Sequence, residues 1–200
     1  MKTYILAEMA SSHQGDAKLA GSIIASAATA KADGVLLQII DVDSYIIPSD
    51  PDYPVLKKIY FSQRVWADLI IQANAAKLDV IANVYDVASA KFCRGQKVKG
   101  FKLHSSNLEN NELVREVAMS KKELLVSVGG MNEREIKEAV GLIRSFNKKV
   151  KITLMYGLQN FPTNPEGINK SQNTSFFWQR LFAAHCINIL LQRYNSIMTG

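Results

Sequence analysis

The sequence has little of what marks disulfide-built, membrane-spanning or metal-rich proteins. Its two cysteines, Cys93 and Cys186, stand far apart in 200 residues. They form no CxxC pair and no metal-type spacing, so the expectation is a reduced protein with two idle thiols. The three histidines, His13, His104 and His185, form no H-x-x-x-H pair. No apolar run approaches the ~18 residues of a membrane span, and the stretch before Glu8 is too short for a signal peptide. A cytoplasmic protein with no membrane partner is therefore expected. Acidic residues are absent from Lys170 to Gly200, which carries three basic ones against a formal net charge of +6 for the whole chain. Half of the basic excess thus sits in that tail. Elsewhere the basic residues are scattered among acidic ones, with no Arg/Lys run interleaved with aromatics, so no nucleic-acid partner is expected. The five prolines fall in two expected loops, Pro48, Pro51 and Pro54 in one, Pro162 and Pro165 in the other.

What is present is a cadence. Short apolar runs alternate with segments of helical period. Strands are expected at Thr3 to Ala7, Gly34 to Ile40, Asp79 to Asp86, Gly100 to Ser106, Glu123 to Gly130 and Lys151 to Gly157. Between them lie helices at Asp16 to Ala30, Ser62 to Leu78, Val87 to Arg94, around Leu113 and Val117, and after Asn132. Asp16 is a natural cap for the first. Asn132 and Glu135 open the last as a capping box, ahead of an apolar face at Ile136, Ala139, Val140, Ile143 and Phe146. Strict βα alternation implies a parallel sheet. The reading is an α/β chain of (β/α)8 TIM-barrel type, incomplete with about six βα units. A doubly wound open sheet is the competing fold, but no G-x-G-x-x-G opens the first helix. Residues 1–169 form the barrel portion. Residues 170–200 form a divergent tail in which a helix from Ser175 to Tyr194 is the local expectation, either packed on the body or foreign to it.

Polar residues recur late in each strand or just after it: Glu8, Gln38, Asn83 with Asp86, Lys102 with Ser105 and Ser106, Ser127 before Gly129 and Gly130, and Tyr156 with Gln159. In a parallel barrel these converge on one mouth, the end that carries chemistry. The turn "SSHQGD" from Ser11 to Asp16 is the first piece of that mouth. One cation, Lys102, with hydroxyls at Ser105 and Ser127 and backbone N–H groups near helix starts, suits a phosphate. Each residue also has a plainer role. A strand Lys often snorkels to solvent, a Ser before glycines makes a tight turn, and His13 and His104 are more often hydrogen-bonded structural groups than ligands.

At these residues the chain resembles the sialic acid synthase (N-acetylneuraminate synthase-like) family. "AEMASSHQGDAKLA" is similar to that family's opening A-E-I-G-x-N-H-x-G-D motif, and "AKADGVLLQII" to its A-G-A-D-x-V-K-F-Q strand. "VKGFKLHSSNLENNELV" resembles its phosphate-holding stretch, "LLVSVGGMNEREIKEAVGLIR" its S-T-G-M-x-x-x-E-I pattern, and "NFPTNPEGIN" its Y-P-T-P-x-E-x-x-N loop. The resemblance runs from Thr3 to Asn169. It implies an enzyme, a C–C bond-forming synthase that condenses phosphoenolpyruvate with an N-acyl amino sugar to give a sialic or other nonulosonic acid. It also implies that Lys102, Ser105 and Ser127 bind phosphoenolpyruvate, that Glu8, the acidic residue closing strand one, is catalytic, and that Gln38 reaches the N-acyl hexosamine. Asn83 stands where the family has Thr and can still donate. Gln159 and Phe161 stand where it has Asn and Tyr.

The departures are as specific. Leu36 replaces a substrate-binding Lys, and Asn107 replaces an acidic residue. The family's divalent metal, Mn or Mg, is expected on histidines of S-D-H-T and R-H-F motifs. Neither motif occurs in these 200 residues, and His185 in "AAHCIN" matches neither. The barrel is thus read as truncated, with open edges that favour a homo-oligomer. Two alternatives to the synthase stand: a non-catalytic or damaged remnant of the family, and another phosphate-binding barrel aldolase using Lys102 for a Schiff base with Tyr156 or His104.

Overall fold

The structure, a computed structural model, describes residues 3–157 and the backbone of 181–183. Seven strands pair in parallel in chain order: β1 (Leu6–Glu8), β2 (Gly34–Ile39), β3 (Asp79–Val84), β4 (Gly100–Leu103), β5 (Glu123–Ser127), β6 (Ile152–Tyr156) and β7 (Leu181–Ala183). Helices α1 (Ala17–Thr29), α4 (Gln63–Ala75), α5 (Val87–Arg94), α6 (Asn111–Ala118) and α7 (Glu133–Phe146) join successive strands. Sequential order with a helix between each pair of successive strands from β1 to β6 is the (β/α)-barrel winding, and it removes the doubly wound alternative, whose strand order reverses at its centre. The sheet is a curled, incomplete barrel.

Two features depart from the sequence reading. The proline-bearing segment after β2 is not simple loop: it holds α2 (Val42–Tyr45) and α3 (Tyr53–Ile59). Pro54 sits in the first turn of α3, where its missing N–H breaks no helical bond. In the tail, Leu181–Ala183 runs as strand beside β6 where a helix was expected. The rest of that expected helix, Cys186, His185 and the second proline segment lie outside the described residues.

Strand alternation divides the sheet into two chemistries. Val35, Leu37, Ile39, Val80, Ala82, Val84, Phe101, Leu103, Leu124, Val126 and Leu154 point to the helices and form the main core with Ile24, Trp66, Ile70, Leu113, Val117 and Ile143. On the other face Leu36, Ile81, Leu125 and Met155 make a smaller apolar cluster, with Leu6 against it. Both faces of the central strands are therefore covered, as the near-continuous apolar runs require.

Local signals fix the element ends. Asp16 caps α1 by accepting from Lys18 N and Leu19 N, and Asn132 and Glu135 form the expected capping box on α7. Gly15 has φ +81°, and a Cβ there would lie 2.5 Å from the Lys58 carbonyl oxygen, so no other residue fits that turn.

Candidate functional site

The polar end of the inner sheet face is set by register. Gln38 pairs across to Asn83, and Asn83 to Lys102, so three strand-end side chains stand in one row on β2, β3 and β4. Beneath that row on β2 and β3 the inner positions are the apolar Leu36 and Ile81, and Leu125 of β5 stands level with Lys102. One step above it, Tyr85 and His104 continue the same faces just past β3 and β4, their rings stacked with centroids 6.4 Å apart.

Lys102 is 8% exposed, and its Nζ lies 3.8 Å from Glu8 Oε1. The cation that suits phosphate and the carboxylate that closes strand one thus face each other across the mouth. Gln38 Nε2 donates to the Tyr85 hydroxyl at 2.8 Å, and Asn83 Nδ2 donates to the same hydroxyl at 3.1 Å. Asn83 is 1% exposed, and its Oδ1 is buried without a hydrogen-bond partner among the described residues. The ring of Tyr45 from α2 packs edge-on against Tyr85, centroids 5.8 Å apart. Burial pushes the Tyr85 hydroxyl pKa up, and the Glu8 charge adds to this, so it stays protonated at neutral pH. Burial and then the Lys102 cation push His104 below the usual histidine range, so its imidazole is neutral there.

The remaining sequence candidates have mixed positions. Ser127 ends β5, half-buried, in register with Met155. Ser105 opens a short 3-10 turn after β4 (Ser105–Asn107), whose preceding His104 accepts from Ser106 N through Nδ1. Asn107 is buried, with Oδ1 accepting from Ser106 and Nδ2 reaching the Val84 carbonyl at 3.4 Å. Asp86 caps α5 through Ser89 and holds the Asp41 N–H at 3.0 Å, a structural duty that ties the α2 segment to the mouth rim. Gln159 and Phe161 lie outside the described residues.

His13 differs from the expectation that its turn helps build the mouth. It is fully buried on the helix side of the sheet, packed on Tyr60, Phe61 and Trp66, with Nδ1 accepting from Gly15 N. The imidazole fills an aromatic box because the turn carries it away from the strand's inner face. Sequence reasoning overlooked Tyr85. Its signal was present, since it continues the inward alternation of Ile81 and Asn83 one step past the strand.

No three His, Cys, Asp or Glu side chains come together as a metal-binding group among the described residues. His13 lies in its aromatic box and His104 on the rim of the mouth, so these two do not fit the expected Mn or Mg. Cys93 is buried and free, with its thiol pushed up to about 12 chiefly by burial. No described helix is long and apolar enough to cross a membrane.

Comparison with known proteins adds the lineage. The N,N'-diacetyllegionaminic acid synthase of Campylobacter jejuni is 25% identical over 183 residues, covering 84% of this chain and 55% of that protein. The N-acetylneuraminate-9-phosphate synthase of Drosophila melanogaster is 25% identical, covering 82% of this chain and 47% of that protein. The chain thus spans about half the length of the curated relatives it matches. The crystal structure of N-acetylneuraminic acid (sialic acid) synthetase from Leptospira borgpetersenii, in complex with citrate, superposes with a TM-score of 0.76 at 24% identity, covering 84% of this chain and 59% of that one. A spore coat polysaccharide biosynthesis protein E from Chromobacterium violaceum, described as putative in its own structure, superposes with a TM-score of 0.80 at 17% identity, covering 91% and 58%. The family model described as "NeuB family" matches residues 23–174, more than half of the chain, and the chain belongs to that family.

Proposed function

We propose that this chain is the barrel portion of a phosphoenolpyruvate-dependent synthase of nonulosonic acids. The reaction joins C3 of phosphoenolpyruvate to the aldehyde carbon of an N-acyl amino sugar. Water supplies the oxygen at C2, and inorganic phosphate leaves. The observation that carries this reading is the pairing of Lys102 with Glu8 on the polar end of the inner sheet face. Lys102 supplies the positive charge an anionic substrate needs, with Ser105 and Ser127 at neighbouring strand ends as hydroxyl donors. Glu8 supplies a carboxylate able to hold or move a proton beside it. Gln38 and Asn83 supply neutral polar contacts in the adjoining row. The names of the two synthases matched above, a legionaminic acid and an N-acetylneuraminate phosphate synthase, support the substrate class.

A second reading, a family member that binds these ligands without turnover, is favoured by Leu36. It is 1% exposed within an apolar inner cluster, where a second cation would have strengthened anion binding. One experiment separates the two. The purified chain is incubated with phosphoenolpyruvate, manganese or magnesium, and a panel of N-acyl hexosamines, and inorganic phosphate is measured. Acceptor-dependent phosphate release establishes the synthase. Calorimetric binding of phosphoenolpyruvate without release establishes the non-catalytic reading. A folded chain that neither binds nor releases overturns both.

A further inference from the structure

We propose that Tyr85 and Asn83 form a subsite for a neutral sugar hydroxyl, directly beside the anion-binding Lys102. The proposal rests on the reading above and assigns part of its acceptor site.

Donors and acceptors at Tyr85 and Asn83 do not balance among the described residues. The Tyr85 hydroxyl receives one N–H from Gln38 and one from Asn83, at 2.8 and 3.1 Å. Two incoming donors occupy the oxygen's two lone pairs, leaving its own proton to give. No acceptor for that proton is found among the described residues. Asn83 has spent an N–H on Tyr85, and its Oδ1 is buried and unpartnered. A buried acceptor left open is costly, and native sites seldom keep one without a ligand or water for it. The two neighbouring groups therefore offer the Tyr85 proton, the second Asn83 N–H and one open acceptor, Asn83 Oδ1.

That combination selects chemistry. A sugar hydroxyl accepts from Tyr85 and donates to Asn83 Oδ1 at once. A phosphate or carboxylate oxygen can accept from Tyr85 but has no proton for Oδ1, and two oxygen lone pairs then oppose each other. The amide at position 83 thus presents an open acceptor beside its remaining N–H, where its place in the sequence implied only a donor. Tyr45, edge-on to Tyr85, supplies an aromatic wall of the kind that packs on sugar C–H faces.

The test uses the full chain, its Tyr85→Phe variant and its Asn83→Ala variant, each checked for an unchanged circular dichroism spectrum. Phosphoenolpyruvate and the N-acetyl derivatives of glucosamine, galactosamine and mannosamine are titrated separately by calorimetry and ligand-observed NMR. The expected result is a 5- to 20-fold loss of affinity for the best-bound sugar in both variants, with phosphoenolpyruvate affinity held within twofold. An equal loss for both ligands, a loss confined to phosphoenolpyruvate, unchanged sugar binding, or no sugar binding by the wild-type chain overturns the assignment. If either variant does not fold, the other decides. Sugar binding that depends on Tyr85 in a chain that ignores phosphoenolpyruvate would uphold this subsite while overturning the synthase reading. Phosphoenolpyruvate binding with sugar affinity indifferent to Tyr85 would do the reverse.

Discussion

Glu8 Oε1 and Lys102 Nζ approach to 3.8 Å although β1 and β4 are three strand steps apart in the sheet. In a flat sheet, strands that far apart are separated by about 14 Å. The side chains meet because the sheet curls, and this brings a carboxylate and an ammonium from 94 residues apart in sequence to one place. Both are largely shielded, so the pair is less screened than a surface ion pair.

Glu8 also competes with any anion for Lys102. Lys102→Ala is expected to weaken phosphoenolpyruvate binding by about 10- to 100-fold, in line with loss of a charge-assisted contact worth about 1.5–3 kcal/mol. Glu8→Gln is expected to strengthen that binding severalfold while removing turnover. Calorimetry on both variants, with phosphate release measured in parallel, reads the opposite signs.

Leu36→Lys tests whether the inner apolar cluster is incompatible with a second cation. An unpaired ammonium among Ile81, Leu125 and Met155 should destabilise the fold by about 2–5 kcal/mol. Binding of phosphoenolpyruvate should recover part of the loss, since a ligand that binds only the folded state stabilises it. Thermal melts with and without the ligand give both numbers.

Stability should fall as pH drops from about 7 toward 5. Burial lowers the pKa of both His13 and His104, so the unfolded chain binds more protons than the folded one below the ordinary histidine value near 6.5. Stability is therefore full above that value and is lost as pH falls toward the lowered folded values. The slope is at most about 1.4 kcal/mol per pH unit for each histidine. Urea melts across this range, repeated with His104→Gln, should show a smaller slope in the variant.

Cys93 should resist alkylation in the native state. Its thiol is buried, and its pKa of about 12 leaves almost no thiolate at pH 8. Peptide mass spectrometry after iodoacetamide treatment should find Cys93 unmodified until denaturant is added, and native labelling would show that α5 opens readily.

Phe101 is fully buried in the main core against the helix layer. Phe101→Ala is expected to cost about 3–5 kcal/mol, because the tight packing around it cannot collapse into the gap. Chemical denaturation measures the loss.

Much of the fold was legible because it depends on local rules. Val87 to Arg94 was read to the residue, and Asp16, Asn132 and Glu135 announced their helices through capping chemistry. The strands were placed but read long, since side chains such as His104 to Ser106 continue the pattern after ladder hydrogen bonds end. Helices α2 and α3 were hidden by three prolines that mark turns as readily as first helical turns. His13 misled because a polar residue in a strand-end turn does not say which side of the sheet the turn will carry it to.

By itself the sequence determined the βα cadence, the apolar outward row of β2 to β6, and a family membership carried by spaced motifs. Those follow from periodicity and short-range geometry, which a linear string records. Tertiary structure alone decided that Glu8 opposes Lys102, that Gln38 and Asn83 both spend an N–H on Tyr85, and that Asn83 keeps an open acceptor. Such relations depend on register between strands and on the curl of the sheet, and these are fixed only when the helices pack and the two faces close.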